Sequence, residues 1–355
     1  MPIHPLDDHD LRSRIQEIIS GFIADHRAVM GTISADVLPL VDSLSGLMDG
    51  GKRLRPAFAY WGYRSTGASD NDHIVKAAAS LEFLQACALI HDDVMDDSDT
   101  RRGKPAAHKQ FMALHQSHEW NSSAVRFGDG AAILIGDLAL SWADEMLLTS
   151  GLSNEQLSRA KRIYDIMRTE LMAGQYLDLL EQVRGNTTVE SSRTVIRYKS
   201  AKYTIERPLH MGANIAGASS HHQQILSDYG LALGEAFQLR DDVLGIFGDA
   251  IVTGKPAGDD LREGKQTMLV ARARDLSSGE SLTEFNKLFG QPDLNGDQIE
   301  DLQTIISDCG ALAEIEAQID ELTALALDSI QDATIADDAR EALQLLAVMA
   351  TKRET

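Results

Sequence analysis

The chain has 355 residues, of which 43% are hydrophobic, and its 33 basic and 54 acidic side chains give a formal net charge of -21 at pH 7. This charge argues against nucleic acid as a partner, because a phosphate backbone binds a basic face, and it weakens the case for an anionic membrane surface. Its two cysteines cannot build a disulfide framework, so a reducing cytoplasm fits best.

Helical patterns occur along the whole chain. Apolar residues recur with the helical period and alternating strand patterns are nearly absent. Polar breaks predict about ten or more helices, and they lie near residues 67–72, 115–130, 185–188, 217–222, 256–264 and 290–296. No long linker occurs, so we predict one all-α domain over residues 1–355. The N-terminus lacks a signal peptide pattern, and no apolar stretch reaches the roughly 20 residues of a membrane span, so no stable membrane insertion is expected.

The first segment with chemical content is basic and begins with glycine. Residues 50–56 read GGKRLRP and place Lys52, Arg53 and Arg55 at the start of a helix. Free backbone N–H groups at such a start also favour an anion. The segment therefore predicts a phosphate-binding site, although Arg53 could equally be a surface charge.

The first aspartate motif follows an apolar helix. Residues 75–90 are apolar on most faces, which predicts a helix inside the domain. Asp92 and Asp96 are one helical turn apart and share a face, while Asp93 lies about 100° around the helix. Carboxylates held this close repel each other unless a cation lies between them. Magnesium fits, because it is usually held by one or two carboxylates together with phosphate oxygens.

Further charged motifs follow in chain order. Residues 100–104 read TRRGK, directly after the first aspartates, and residues 198–202 read YKSAK. The second aspartate pair is Asp241 and Asp242, followed by TGKP at residues 253–256. Each acidic motif thus has basic neighbours that can bind the remaining oxygens of a phosphate.

Together these motifs resemble the trans-isoprenyl diphosphate synthases, the polyprenyl synthetase family. Over about residues 50–267, five segments stand in the family's order: GGKRLRP, HDDVMDDSDTRRGKPAAH, GQYLDL, YKSAKY and FQLRDDVLGIFGDAIVTGKPAGDDLREGK. The resemblance implies the isoprenoid synthase fold, in which helices surround a central active-site cavity, with residues 280–355 as a packing or lid region. It also implies a homodimer with one site in each subunit.

The resemblance implies a chain-elongating prenyltransferase. Such enzymes condense isopentenyl diphosphate with dimethylallyl, geranyl or farnesyl diphosphate. The allylic diphosphate leaves with the help of three magnesium ions, for which manganese can substitute, and the resulting carbocation is attacked by the double bond of isopentenyl diphosphate before a proton is lost. Metal ions, lysines and arginines stabilise the leaving diphosphate more in the transition state than before it.

The family's metal roles transfer to this sequence motif by motif. The resemblance implies that Asp92 and Asp96 hold metal ions on one wall and that Asp241 holds the third on the other. Three further carboxylates would support them: Asp93, Asp178 and Asp242. Gly245 replaces a fifth carboxylate that is often present in the second motif, so this position is left out of the site.

The substrate contacts transfer in the same way. Three cations would grip the allylic diphosphate: Arg101, Lys199 and Lys255. Isopentenyl diphosphate would be held by Lys52, Arg55 and Arg102, with Gln85 as a further polar contact where many long-chain members have histidine. The carbocation would be faced by Gln238 and by backbone carbonyls near Lys199 and Ser200. Lys104 could be a surface charge or touch substrate, and His91 is interpreted as a structural histidine.

Product length should depend on the helix before Asp92. If residues 75–90 line the tunnel, the deciding positions one and two turns earlier are Leu84, Cys87 and Ala88. Members that stop at farnesyl commonly have aromatic rings at the first level, whereas this chain has a thiol and a methyl group there. We expect geranylgeranyl diphosphate as the main product, with farnesyl as intermediate or by-product. Candidates for a deeper floor are Leu81, Leu84, Phe111 and Met112.

Five other functions stay open on the sequence. A farnesyl or a longer polyprenyl diphosphate synthase would use the same chemistry. A terpene cyclase needs no second diphosphate site, and Gly245 and Asp249 stand where its second motif has Ser/Thr and Glu. A non-catalytic subunit of a heteromeric synthase typically loses aspartates that this chain keeps. A helical scaffold would show no magnesium-dependent binding of diphosphate.

Overall fold

The computed structural model describes residue 5 and residues 7–185, 187–248 and 258–352. Helices dominate these residues, and their strands form a single two-stranded sheet, which confirms the all-α prediction. Contacts divide the chain into two compact units. Unit 1 comprises Met1–Tyr60 and Ser69–Ser158, and unit 2 comprises Trp61–Ala68 and Arg159–Thr355. The single domain over residues 1–355 stays a prediction.

Unit 1 contains the first basic segment and the first aspartate motif. Its helices begin after a 3₁₀ turn at Asp8–Asp10, and a second such turn lies at Ala35–Val37. They are α1 (Leu11–Gly31), α2 (Leu38–Met48), α3 (Leu54–Arg64, which ends in unit 2), α4 (Asp72–Met95), α5 (Ala107–Ser117) and α6 (Ala124–Leu148). A hairpin joins α4 to α5 and consists of β1 (Thr100–Arg101) and β2 (Lys104–Pro105).

Helix α4 forms the centre of unit 1. Asn71 caps its start by accepting hydrogen bonds from the backbone N–H groups of His73 and Ile74, each at 3.1 Å, which satisfies two donors that a helix start leaves unpaired. Between Ile74 and Ile90 every side chain is buried except those of Lys76, Gln85, Ala88 and Leu89. The predicted interior helix is thus observed, and it is longer than predicted at both ends.

Two details of unit 1 differ from the sequence prediction. By length and composition α4 could cross a membrane, although 72% of its apolar window is buried in the protein, as in the core helix of a soluble protein. The polar break predicted at residues 115–130 is shorter, because α5 continues to Ser117 and α6 begins at Ala124. His115 is buried, and its Nε2 lies 3.0 Å from the carbonyl oxygen of Asn121.

Unit 2 contains the second aspartate motif and the C-terminal helices. Its first helix, α7 (Asn154–Arg184), begins in unit 1. The following elements are α8 (Val189–Val195), a π-helical segment (Ile196–Glu206), α9 (Arg207–Ala216), α10 (Ser220–Phe247), α11 (Asp259–Glu263), α12 (Met268–Leu276), α13 (Gly279–Leu288), α14 (Gly296–Asp308), α15 (Ala311–Ser329) and α16 (Asp337–Thr351).

The π-helical segment is held between glycines of two neighbouring helices. A Cβ built on Gly174 of α7 would lie 2.5 Å from the backbone nitrogen of Lys199. On α10, a Cβ on Gly234 would lie 2.4 Å from the Cα of Ala201, and one on Gly230 would lie 2.8 Å from the Cα of Glu206. Such distances exclude any side chain at the three glycines. The backbone of the π-helical segment therefore packs directly on its neighbours.

The C-terminal helices pack into the core of unit 2. Buried side chains of α13, α14 and α15 form one cluster with Leu239 and Val243 of α10. Beside the second aspartate pair, Arg240 donates hydrogen bonds to both carboxylate oxygens of Glu316 at 2.7 Å and to the carbonyl oxygen of Thr351 at 2.8 Å. The assignment of residues 280–355 as a packing or lid region stays a prediction.

Candidate active site

The first aspartate group lies at the C-terminal end of α4. Asp92 and Asp96 are half-buried and share one face, while Asp93 points inward and is 2% exposed. The backbone N–H of Asp96 donates to the carbonyl oxygen of Asp92 at 2.8 Å, which continues the helical pattern to the last aspartate. The structure thus produces the predicted pair of accessible carboxylates with a buried one between them.

A tight hairpin positions the two arginines that follow. Thr100 pairs with Pro105 and Arg101 with Lys104. The turn residues Arg102 and Gly103 have φ values of 53° and 71°, and two successive positive values are required by the type I′ turn that fits the twist of a two-residue hairpin. The turn therefore fixes the backbone positions from which the side chains of Arg101 and Arg102 extend.

Arg101 forms an ion pair with the buried aspartate. Its Nε donates to Asp93 Oδ1 at 2.9 Å, and one terminal nitrogen donates to the same oxygen. Burial raises the pKa of Asp93, and the hydrogen bonds and charge of Arg101 oppose that rise. Burial lowers the pKa of Arg101, but Asp93, with smaller contributions from Asp92 and Asp96, raises it above its ordinary value. Arg101 therefore stays charged and neutralises Asp93, the buried carboxylate of the first aspartate group.

Arg102 belongs to a concentration of positive charge at the first basic segment. One terminal nitrogen donates to the carbonyl oxygen of Leu47 at 2.7 Å, and the guanidinium lies over Gly51, where a Cβ would be 3.0 Å away. Burial lowers the pKa of Arg102, the charge of Glu82 opposes this, and three neighbouring cations lower the pKa further: Arg53, Arg101 and Arg55. A bound anion would relieve this repulsion, so the geometry supports the predicted diphosphate contacts of Arg55 and Arg102.

Arg53 and Lys52 have different positions in the same segment. Arg53 is 3% exposed and its guanidinium contacts Glu82, Gln16 Oε1 at 2.6 Å and the carbonyl oxygen of Met48 at 2.5 Å. It is therefore a buried structural arginine, and the interpretation as a surface charge is wrong. Lys52 is exposed and stays a candidate for substrate binding.

His91 has the structural role that was predicted for it. Its Nε2 lies 3.1 Å from the carbonyl oxygen of Ile133, and its Nδ1 lies 3.7 Å from the sulfur of Cys87. A Cβ on Gly136 of α6 would lie 2.0 Å from the His91 ring, so only glycine fits there. The ring thus packs α4 against α6 directly before Asp92.

The second aspartate group lies near the C-terminal end of α10. Asp241 and Asp242 are adjacent, and Asp242 is 5% exposed. Gln238, one turn earlier, donates to Asp242 Oδ1 at 2.8 Å and accepts a hydrogen bond from the hydroxyl of Ser200. Burial, together with the charges of Asp260 and Asp241, raises the pKa of Asp242 to about 8. Within the described residues, the hydrogen bond from Gln238 and the charge of Lys265 oppose this rise without cancelling it.

Lys199 and Ser200 come from the π-helical segment. The Lys199 ammonium donates to Asp178 Oδ2 at 2.6 Å, and Asp178 follows Gly174 by one turn on α7. Unit 2 therefore brings together six predicted site residues: Asp178, Lys199, Ser200, Gln238, Asp241 and Asp242. Lys255 lies outside the described residues.

Asp260 is a neighbour of the second aspartate group for which the sequence predicted no role. Its carboxylate lies against Gly245, where a Cβ would be 1.9 Å from Oδ2. Its position in the GDDLREG stretch, with a glycine at each end, was a signal that could have pointed to it, because flanking glycines often mark a fixed turn. The space that Gly245 leaves is thus filled by another acidic residue.

The donor atoms in both groups fit a hard divalent cation. Among the residues that the structure describes, no three carboxylate, imidazole or thiol side chains lie close enough to hold a metal ion by themselves. Both aspartate groups nevertheless offer carboxylate oxygens, which magnesium prefers. Within unit 1, Asp92 and Asp96 could contribute ligands to such an ion if water or diphosphate oxygens completed its coordination, and within unit 2 Asp241 could do the same.

The three predicted chain-length residues do not share one environment. Leu84 and Cys87 are 0% exposed, whereas Ala88 is half-buried. With Gln85 and Asp92, Ala88 belongs to an accessible stripe on α4, because positions 85, 88 and 92 are three and four residues apart. Of the three predicted positions, only Ala88 is partly exposed.

Comparisons with known proteins agree with this arrangement of motifs. The family described as polyprenyl synthetase matches residues 40–306. The chain belongs to the polyprenyl synthetase family. A geranylgeranyl pyrophosphate synthase from Corynebacterium glutamicum, solved in complex with isoprenyl diphosphate and magnesium, has a TM-score of 0.93 and 41% identity, covering 97% of this chain and 99% of that chain.

Relatives in the family have different product names. A geranylfarnesyl diphosphate synthase from Aeropyrum pernix is 33% identical over 315 residues, covering 86% of this chain and 92% of the relative. An octaprenyl diphosphate synthase from Escherichia coli is 31% identical over 333 residues, covering 92% and 94%. The chain is therefore a transferase of the trans-prenyltransferase type, a prenyl diphosphate synthase, as the motifs predicted.

Proposed function

We propose that this enzyme condenses isopentenyl diphosphate with dimethylallyl, geranyl and farnesyl diphosphates to make mainly geranylgeranyl diphosphate. The observation that carries the product length is the accessible stripe on α4, where Ala88 presents only a methyl group one turn before Asp92. A small side chain leaves room for a chain longer than farnesyl. The Corynebacterium synthase, with 41% identity, supports the same product.

The charged side chains of the two groups bind the diphosphates in this proposal. Arg101 uses two of its five N–H donors on Asp93 and directs others to the allylic diphosphate, together with Lys199 and Lys255. Lys52, Arg55 and Arg102 hold isopentenyl diphosphate, with Gln85 as a polar contact. These fixed positive charges stabilise the leaving diphosphate, whose negative charge grows as its bond to the allylic carbon breaks.

In this proposal, polar groups of the π-helical segment and of α10 face the carbocation. The carbonyl groups near Lys199 and Ser200 and the side-chain oxygen of Gln238 present partial negative charge to the electron-poor carbon. The proton released after carbon–carbon bond formation passes to the leaving diphosphate. No side chain of this site is required as the base.

Asp92, Asp96 and Asp241 would hold the divalent metal. We propose magnesium, three ions in each site, with manganese as a substitute; the Corynebacterium structure is described with magnesium and isoprenyl diphosphate. When bound, the metal supplies Lewis acidity to the departing diphosphate. Asp93 and Asp242 support these ligands from buried positions, and Asp178 positions Lys199.

The decisive experiment is a product analysis with a matched pair of variants. Purified protein is incubated with magnesium, labelled isopentenyl diphosphate and each allylic starter, and the dephosphorylated products are separated by length. We expect a geranylgeranyl product that disappears with EDTA. Ala88→Phe should shift the product to farnesyl without loss of turnover, because the ring enters the accessible stripe.

Cys87→Phe is the matched control, since Cys87 is fully buried one residue away. This variant should lose stability through overpacking and should not shorten the product selectively. An unchanged product profile in Ala88→Phe would show that the stripe does not line the tunnel. If the parent enzyme makes farnesyl or much longer products, the proposed reaction stands and the proposed product length is wrong.

We further propose a cytoplasmic homodimer. Helix α6 supports a subunit interface, because Ile133 and Leu134 are adjacent large apolar residues that are 47% and 60% exposed. The free thiols of Cys87 and Cys309 fit a reducing compartment. Light scattering after gel filtration tests the dimer, and Leu134→Glu should release monomers.

A further inference from the structure

The second aspartate motif ends in glycine, and a different carboxylate occupies the space beside it. A Cβ on Gly245 would lie 1.9 Å from Asp260 Oδ2, 2.6 Å from Asp260 Cγ and 3.3 Å from Asp260 Oδ1. Real Cβ atoms essentially never come closer than 3.0 Å to another heavy atom. A side chain at position 245 and the observed Asp260 carboxylate therefore exclude each other.

The Asp260 carboxylate lies at the face of α10 that carries Asp241. Asp241 and Gly245 are four residues apart on α10, so they lie on the same face, one turn from each other. An aspartate at position 245 would begin its side chain where Asp260 Oδ2 now lies. Asp260 thus brings negative charge to the helix face on which Asp241 stands.

The backbone holds Asp260 in this place. Helix α11 is bounded by Gly258 and Gly264, whose φ values of +71° and +68° suit glycine. Leu261 is 0% exposed in the core, and its carbonyl oxygen accepts a hydrogen bond from the N–H of Gly290 at 2.9 Å. The Asp260 side chain is only 13% exposed. Its contact with Gly245 therefore depends on a fixed turn.

A lysine orients the Asp260 carboxylate. Lys265 Nζ lies 3.3 Å from Asp260 Oδ1, and the backbone N–H of Lys265 donates to the carbonyl oxygen of Asp260 at 3.0 Å. The oxygen that contacts Gly245 is the other one, Oδ2. One carboxylate oxygen is thus turned to Lys265 and the other to α10.

We propose that Asp260 supplies the carboxylate that the second motif lacks at position 245. In this role it is a positioning residue that adds negative charge and an oxygen acceptor beside the divalent ion held by Asp241. The inference rests on the proposed metal-dependent function and adds a residue to it. It also explains why a glycine is compatible with metal binding in this motif.

An exchange of the two positions tests the proposal. Three variants are compared: Gly245→Asp, Asp260→Ala and the combination of both. Each single change should weaken manganese binding in the presence of inorganic diphosphate by about tenfold or more, as is typical when a group supporting a metal ligand is lost. Gly245→Asp should weaken manganese binding because its side chain collides with Asp260. Asp260→Ala should weaken it because the carboxylate is missing.

The combined variant should recover binding to within about threefold of the parent, which corresponds to less than 1 kcal/mol. Calorimetry and the electron paramagnetic resonance spectrum of manganese measure this binding without prenyl transfer. A parent that binds the metal but makes no prenyl product would therefore reject the proposed function and leave this inference standing.

Two further variants distinguish a loss of metal binding from a loss of folding. Asp260→Asn keeps the shape and removes the charge, so it should weaken manganese binding while thermal unfolding stays close to that of the parent. Asp259→Asn removes the same charge one residue earlier and should bind manganese as the parent does. Parent-like binding by Asp260→Asn, or a combined variant no better than Gly245→Asp, would overturn the proposal.

Discussion

Asp93 of α4 and Asp242 of α10 hold the same place in their motifs, but they have different neighbours. Asp93 receives hydrogen bonds from the charged Arg101, which follows it by eight residues. Asp242 receives one from the neutral amide of Gln238 and lies near two further carboxylates, those of Asp241 and Asp260. Among the described residues, Asp93 is paired directly with an arginine, whereas the buried carboxyl of Asp242 lies near other carboxylates and keeps its proton to about pH 8.

The largest effect is expected when a proposed metal ligand is lost. Asp92→Asn and Asp241→Asn should each lower kcat by about 10³-fold, because each removes a carboxylate that stabilises the metal-bound leaving group. Turnover of labelled isopentenyl diphosphate measures the loss, and a tenfold higher magnesium concentration should recover part of it. Asp97→Asn is the control, since this side chain is 84% exposed and pairs with Lys109. More than a tenth of the parent activity in Asp241→Asn would contradict the role of the second group.

The second-largest effect is expected on stability, when the ion pair between Arg101 and Asp93 is broken. Arg101→Met leaves Asp93 buried without its counter-charge, which should lower the free energy of unfolding by about 3 kcal/mol. The combination with Asp93→Asn should recover most of this loss in urea denaturation. Lys109→Met loses only pairs to exposed carboxylates and should cost less than about 1 kcal/mol. Additive losses in the double variant would show that the two charges do not compensate each other.

The second group should make stability depend on pH in the absence of metal. The folded protein keeps Asp242 protonated up to about pH 8, whereas its ordinary pKa is 3.8. The contribution of this group is therefore complete below its ordinary pKa and is lost as the pH rises through about 8. Thermal unfolding in EDTA between pH 5 and 9 measures the loss. Asp242→Asn should remove the part of this pH dependence that comes from the Asp242 carboxyl.

Metal binding should reverse the charge state of the same carboxyl. Magnesium with diphosphate favours the ionised form, so binding near neutral pH should release protons. Calorimetry in buffers of different ionisation enthalpy detects this release, which should shrink in Asp242→Asn. Binding without proton release would mean that Asp242 is already ionised in the metal-free protein.

The smallest effect concerns Cys87. Burial and, to a lesser extent, Asp137 raise its pKa to about 12, so the thiol stays protonated and unreactive. Iodoacetamide at pH 8 should modify the half-buried Cys309 before Cys87, as measured by mass spectrometry of peptides. Rapid modification of Cys87 that an allylic diphosphate prevents would place this residue on the substrate-facing side of α4.

Patterns with a helical period predicted the scaffold of the site well. The apolar run at residues 75–90 predicted the buried helix that ends in the first aspartates, since a helix without a polar face must lie inside a protein. Most of the residues that the family motifs assigned to one site lie close together within each unit. Such features depend on neighbours within a few turns of one helix, which a sequence displays directly.

Features that depend on packing between distant segments could not be predicted in this way. Arg53 has the same charge as Lys52 and Arg55, and only its contact with Glu82 of α4 makes it structural. Asp260 follows Gly245 by fifteen residues, and only their contact in space shows that one fills the place of the other. The close packing of the π-helical segment on glycines of α7 and α10 likewise appears only in the structure.

The glycine contacts of the π-helical segment have a consequence for how the site can change. Main-chain atoms at residues 199 and 201 rest on backbone surfaces of α7 and α10, so side chains at these positions do not set the location of the carbonyl groups. Exchanges of the Lys199 or Ser200 side chain can alter charge and hydrogen bonding while the carbonyl groups keep their place. A methyl group added at position 174 or 234 would move the carbonyl groups and leave every polar side chain intact. In this part of the enzyme, the residues without side chains determine where the backbone carbonyl groups lie.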